Sequence, residues 1–267
     1  MKILTSGKYY GAKEAEINIS KLILSEYDYL SARTDWHYHE NPYFMYVLQG
    51  NLYDTNKKRT SHCQAGSLIF HNWQETHYNE KATTKARGFH IEFPRIWFEQ
   101  KKLDHNLWEG SRLINNPTSH HILAKLYFEF KCGDKYSPLS TELLVLNLCE
   151  SIEKIEFSEK TKQPNWIDIL RQILNEDTED LSLTSLSDKL GIHPVHISRA
   201  VPKYFGSSLG DYIRRQKIKK AVGLIFSKQY SLTEIAYLCG FSDQSHFIRT
   251  FKMYLNSTPH QFSKQIL

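Results

Sequence analysis

The final hundred residues alternate apolar and polar positions with the period of a helix. Asn165–Asn175 reads as one helix, with Trp166, Ile169, Leu170 and Ile173 inward. Asp211–Phe226 carries Tyr212, Ile213, Ile218, Ala221, Val222, Leu224 and Ile225, enough for two apolar faces. After it, Ser231–Phe262 reads SLTEIAYLCGFSDQSHFIRTFKMYLNSTPHQF. Ser231 and Glu234 have capping-box spacing, and Ile235, Ala236 and Leu238 supply an apolar face. Gly240 breaks that helix, Ser242 is the expected cap of the next, and Phe247 and Phe251 face inward four residues apart. Gln244, Ser245, Arg249 and Lys252 are left on the outer face, as a DNA-recognition helix requires.

This unit has an upstream copy. Ser182–Ile192 (SLTSLSDKLGI) aligns without a gap on Ser231–Phe241, 49 residues later. One residue out of step, His196–Val201 lies over His246–Phe251, and Gly206–Tyr212 over Asn256–Phe262. The recurrence of caps, turn glycine, apolar positions and an arginine (Arg199, Arg249) marks two helix-turn-helix units. The 16-residue helix Asp211–Phe226 would hold them apart, spanning about 24 Å at ~1.5 Å per residue. Side packing then allows recognition helices one DNA turn, ~34 Å, apart.

The first 94 residues have a different rhythm. Lys21–Leu30, Phe44–Leu48, Gly50–Thr55, Ser67–His71 and Ala86–Phe93 are short, aromatic or β-branched, and separated by turn residues, which predicts an all-β unit, a small barrel or jelly roll. From Pro94 the pattern becomes helical, through Ser119–Phe130 and Pro138–Phe157. In the latter, Leu144, Leu148 and Ile152 form a stripe, flanked by Leu143, Leu146 and Ile155, to cover the barrel or a second subunit. Residues 158–163, before Pro164, read as a polar linker. The expected organisation is α+β and multidomain: 1–94 an effector-binding β-barrel, 95–157 a helical packing or homodimer segment with contacts through 138–157, 158–163 a linker, 164–267 the domain with two helix-turn-helix units.

Charge sharpens this picture. The chain carries 34 Lys and Arg against 29 Asp and Glu, yet from His196 onward there are 11 basic and 3 acidic residues. A positive surface that begins at the first recognition helix attracts phosphates. The four cysteines are scattered without a CxxC pair, which suggests reduced thiols in the cytoplasm. The N-terminal residues lack the apolar core of a signal peptide, and Leu143–Cys149 is too short to span a bilayer.

Two family resemblances follow from these residues. Asn165–Gln265, and Ala236–Phe262 above all, resembles the DNA-binding domain of AraC/XylS-type transcription regulators. The resemblance implies a sequence-specific, ligand-responsive regulator that inserts recognition helices at about 194–204 and 243–254 into adjacent major grooves of double-stranded DNA. It also implies base contacts from Val195, Ser198 and Arg199, and from Gln244, Ser245, His246 and Arg249. Arg can grip guanine with two hydrogen bonds, Gln can pair with adenine, and Val can meet a thymine methyl. His196, Lys203, Ser207, Arg214, Arg215, Lys217 and Ser257 are the expected phosphate contacts. Arg199 could instead be held by Asp188 or Asp211, and Arg249 by Asp243. Pro202 should kink or shorten the first recognition helix, which would leave more of the base readout to the second.

Trp36–Gly50 and Ala65–Tyr78 resemble the two motifs of the cupin superfamily, through His37, His39, Gly50, Gly66 and His77. In metal-binding cupins the HxH pair, a following Glu and the later His hold a metal. Here the Glu position falls on Tyr43 or Phe44, and Glu40 directly follows His39 and would point away. The ligand set is incomplete, so neither metal nor cofactor is expected. The histidines are then structural, or they line an effector pocket with Trp36, Tyr43 and Tyr46; the pocket is the preferred reading. A cupin-type metal-dependent enzyme tethered to nucleic acid is the alternative function. A nonspecific architectural DNA binder fits less well, because it leaves Gln244 and Arg249 on one exposed face unexplained.

Overall fold

Tyr43–Gln49 (β5) is an almost continuous apolar run because both of its faces are buried. Phe44, Tyr46 and Leu48 enter the main core, and Tyr43, Met45 and Val47 enter a second cluster with Leu52, Cys63 and Ile69, as strand alternation dictates. In the computed structural model, residues 2–101, 108–160, 163–175 and 181–266 are described, the side chains of 155–160 excepted. β5 is an inner strand of a six-stranded sheet. Its order is β11 (Arg112–Ile114), β8 (Leu68–His71), β5, β10 (Arg87–Glu92), β3 (Leu22–Asp28) and β2 (Ala12–Ile19). The second sheet runs β1 (Lys2–Leu4), β4 (His37–His39), β9 (His77–Lys81), β6 (Asn51–Asn56) and β7 (Thr60–Gln64). All pairings are antiparallel except β1 with β4. Among the described residues the two sheets do not close into one ladder, so the cupin-like unit is an open sandwich with the second cluster as its filling.

Helices α1 (Arg95–Gln100), α2 (Pro117–Cys132) and α3 (Ser137–Lys160) follow. The stretch after Pro94 is not wholly helical, because β11 pairs with β8 and returns the chain to the sheet. The helix expected at 138–157 continues through 160, into the expected linker; residues 161–162 lie outside the described residues, as does the side chain of Ile155. Val145, Leu148, Cys149 and Ile152 of α3 are buried, and the helix packs on α2. Leu139 and Leu143, 74% and 57% exposed, face outward.

The C-terminal helices are α4 (Asn165–Asn175), α5 (Leu183–Leu190), α6 (Pro194–Phe205), α7 (Leu209–Ser227), α8 (Leu232–Leu238), α9 (Gln244–Leu255) and α10 (Pro259–Ile266). α4 has the expected bounds, but its inward face is Ile167, Leu170 and Leu174, spaced three and four, and Ile169 is 50% exposed. Likewise Cys239 takes the buried place expected of Leu238, being four residues from Ile235. α7 is the seam between two cores. Tyr212 belongs to the core of α4, α5 and α6, whereas Ile218, Ala221, Val222, Ile225 and Phe226 belong to the main core. The second helix-turn-helix unit therefore shares a core with the N-terminal half: α2 packs on α7, α9 and α10. α7 approaches the turn before β8 so closely that a Cβ on Gly66 (φ +90°) would sit 3.1 Å from Gly223 Cα. Among the described residues, no helix is long and apolar enough to cross a membrane.

Candidate nucleic-acid interface

The two helix-turn-helix units are built alike. Ser182 caps α5 by accepting from Ser185 N, and Ser231 caps α8 within a full capping box with Glu234. Gly191 (φ +63°) and Gly240 (φ +71°) turn the chain into the following helix in the left-handed conformation that a Cβ disfavours. α6 and α9 are each 12 residues long. The cap of α9 is Asp243, which accepts from His246 N at 2.7 Å; Ser242 donates to Asp243 instead of capping. A carboxylate reaches the first-turn amide better than the hydroxyl one residue earlier, and that bond holds its carboxyl below the usual range. His193 caps α6, its Nδ1 accepting from Val195 N at 3.3 Å, with Pro194 at the first helical position.

Pro202 does not shorten α6. It stands in the last turn, where the helix runs on to Phe205 and Gly206 (φ +71°) closes it by donating to Pro202 O. Helix length thus gives no ground for an unequal share of readout. Asn256 (φ +58°) takes the left-handed cap of α9 that glycine fills in α6.

Each recognition helix buries one face and exposes the expected other. Ile197 and Val201 anchor α6, and Phe247, Thr250 and Phe251 anchor α9. Val195, Ser198, Arg199, Gln244, Ser245 and Arg249 are exposed. Neither arginine makes an ion pair among the described residues: Asp211 is taken by Arg215, and Asp243 by its cap. His246 is half-buried, with Nδ1 3.3 Å from Ser242 Oγ and its ring against Phe241, so it offers an edge to a ligand where the others offer a whole side chain. A cleft of about 650 Å³ lies between α6 and the start of α4, lined in part by Trp166, His196, Arg199 and Lys203.

The expected phosphate contacts divide. His196 and Lys203 are exposed and Ser207 is half-exposed. The others are held by the protein. Arg215 Nε donates to Asp211 Oδ2 at 2.7 Å, Arg214 Nε to Tyr254 OH at 3.2 Å, and Lys217 Nζ to Gly240 O. Ser257 is buried and donates to Thr258 O. Burial would raise the Asp211 carboxyl, but its bonds from Arg215 and Tyr254 leave it lower than usual. Arg214 and Asp211 join α7 to α9 through the Tyr254 hydroxyl, a role that their polarity in the sequence does not reveal.

The expected effector set also divides. His37, His39 and His77 come together with Tyr43 in the sandwich, and all four are at most 4% exposed. Tyr46 leaves the set because it is three residues from Tyr43 on a strand; its ring packs on Phe226 in the main core. Trp36 is 40% exposed and stacks edgewise on Tyr78. Two residues that the sequence did not single out, His71 and Asp54, are buried beside His77. His71 is paired with Tyr43 across β8 and β5, a register that no single segment of sequence contains. Another cleft, of about 680 Å³, is lined in part by Trp73, Arg95 and Glu99, not by the histidines.

A family model described as a helix-turn-helix domain matches residues 186–265. A probable transcription factor of Proteus vulgaris, PqrA, is 32% identical over 84 residues, which are 32% of this chain and 69% of that protein. An uncharacterised HTH-type transcriptional regulator of Staphylococcus aureus is 23% identical over 235 residues, covering 81% of this chain and 30% of its own length. The chain thus spans under a third of that relative. Among solved structures, apo ToxT from Vibrio cholerae aligns over 94% of this chain and 99% of its own at 14% identity, with a TM-score of 0.42.

Proposed function

This chain belongs to the AraC/XylS family of transcription regulators, and from that premise we propose that it reads double-stranded DNA through α6 and α9. It is a DNA-binding regulator and not an enzyme; the family supports no tethered cupin-type activity. Val195, Ser198 and Arg199 meet bases in one major groove, and Gln244, Ser245, His246 and Arg249 in the next. His196, Lys203 and Ser207 hold phosphates beside them. The observation that carries this reading is the pair of capped 12-residue helices, each with an arginine on its exposed side. α7, 19 residues and about 28 Å long, separates them by a distance suited to adjacent turns of DNA.

The unit 1–94 responds to a ligand, and the response reaches DNA through α2, which packs on α7, α9 and α10. Copies pair through the outer side of 138–157, where Leu139 and Leu143 are exposed. The regulator acts in the cytoplasm, and its working parts are 1–94 together with β11, the helices of 95–157, and 164–267.

Selection of bound sequences from random duplexes at physiological salt tests the reading. The expected result is an enriched site with two determinants about 10 base pairs apart. Strong, salt-dependent binding without any enriched motif would overturn it in favour of a nonspecific binder.

A further inference from the structure

The sandwich interior gathers more metal-binding chemistry than a hydrophobic core needs. His37 and His39 leave β4 on one side, with Tyr38 between them. His77 faces His37 across the β4–β9 ladder. His71 reaches the same place from β8 in the opposite sheet, and Asp54 from β6. Ring centroids lie 4.4 Å apart for His37 and His77, 5.3 Å for His37 and His39, and 4.4 Å for His71 and His77. The ligating atoms of His37, His39 and His77 all lie within 4.8 Å of one another, and so do those of Asp54, His71 and His77. The two triads share His77.

The hydrogen bonds around the cluster prepare it for a cation. His37 Nδ1 lies 2.8 Å from Asp35 O, and His77 Nδ1 lies 3.2 Å from Glu75 O. A carbonyl only accepts, so each Nδ1 carries the proton and each Nε2 keeps its lone pair. Backbone carbonyls that fix the tautomer in this way are the usual outer partners of metal-bound histidines. His77 Nε2 has a long 3.3 Å contact with the Tyr43 hydroxyl, which an ion would displace. His71, 1% exposed, has no hydrogen-bond partner on either ring nitrogen, and its Nε2 lies 3.4 Å from Asp54 Oδ2.

We propose that the sandwich binds a divalent first-row transition-metal ion of the zinc class, held by His37, His39 and His77, with the His71–Asp54 pair of the second triad as its remaining arm. A nitrogen-rich set with a single carboxylate suits zinc and its neighbours, and not magnesium or calcium, which take oxygen ligands. The carboxylate missing from the cupin pattern at Tyr43 and Phe44 is supplied from elsewhere in the fold, by Asp54. The ion clamps β4 and β9 of one sheet to β8 of the other, where among the described residues no backbone ladder joins the two sheets. It thereby sets the rigidity of the unit on which α7 rests.

The test uses the full chain, stripped with a chelator and titrated with Co²⁺ as a spectroscopic probe and with Zn²⁺ in equilibrium dialysis. The expected result is saturable binding of one ion per chain, with visible ligand-field absorption and a rise in Tm with Zn²⁺ but not Mg²⁺. His77→Gln, which removes the shared ligand, abolishes the absorption; Asp54→Asn weakens binding about 10- to 100-fold, and the exposed His62→Gln leaves it unchanged. Wild-type chain that is folded by circular dichroism yet shows neither Co²⁺ absorption nor a Tm response to Zn²⁺ overturns the proposal, whatever the variants do. Binding that survives in folded His77→Gln overturns it as well.

Discussion

Arg199 and Arg249 differ from Arg214 and Arg215 in what they touch. The first two are exposed and make no ion pair among the described residues, whereas the latter two serve Tyr254 and Asp211. A bidentate arginine–guanine contact discriminates by about 1–3 kcal/mol, so Arg249→Ala should cut the preference for the selected site over a mismatched one by roughly 5- to 150-fold. Fold stability should barely change, because the side chain is exposed. Arg215→Ala should do the reverse, lowering Tm because it removes a guanidinium that lies over the Tyr254 ring of α9, while leaving site preference nearly intact. Competition binding and thermal melts on the two variants check both halves. Sequence pattern separated exposed from buried positions in α6 and α9 correctly, because helical period alone decides that. It could not separate free from engaged basic residues, since Asp211 and Tyr254 lie 43 residues apart in the chain.

At the scale of elements, α3 carries a stripe whose partner the sequence left open between the barrel and a second subunit. Leu148 and Ile152 looked equally suited to a second subunit, but both are buried against this chain's own core. Leu148→Ala should therefore cost about 2–5 kcal/mol in denaturant unfolding, as buried leucines do. Leu143, 57% exposed, is the residue that tests association. Leu143→Asp should reduce the solution mass from dimer to monomer; an unchanged mass counts against pairing through this helix. Capping was legible in detail at Ser231, where a serine and a glutamate three residues on carry the whole signal. It was misplaced by one residue at α9, where Ser242 and Asp243 compete and local sequence does not say which turns inward. The shortening expected at Pro202 does not occur: the residue forfeits the bond to Ser198 O, yet α6 runs on to Phe205.

At the scale of the whole molecule, buried histidines link the core to pH. His37, His90 and His121 are each lowered by burial to about 3. In the unfolded chain they titrate near their ordinary value, about 6.5. Between these values the unfolded state binds more protons, so stability is full above about pH 6.5 and is lost as pH falls toward 3. His121 joins the two halves, with Nε2 2.9 Å from Arg215 O and its ring on Tyr254, and its Nδ1 has no partner. His121→Gln should flatten the loss between pH 6.5 and 4.5, measured as the denaturant midpoint at each pH; an unaltered slope would remove His121 from this account. The sequence by itself determined the double helix-turn-helix, its outward residues and the β-rich first half, because period, caps and turn residues are local. Tertiary structure decided what distant residues do together. It alone placed the second reading unit on the core of the N-terminal half through α2 and the Gly66–Gly223 approach. It alone brought Asp54 and His71 to His77, because strand pairing between separate segments sets those distances and no local pattern encodes it.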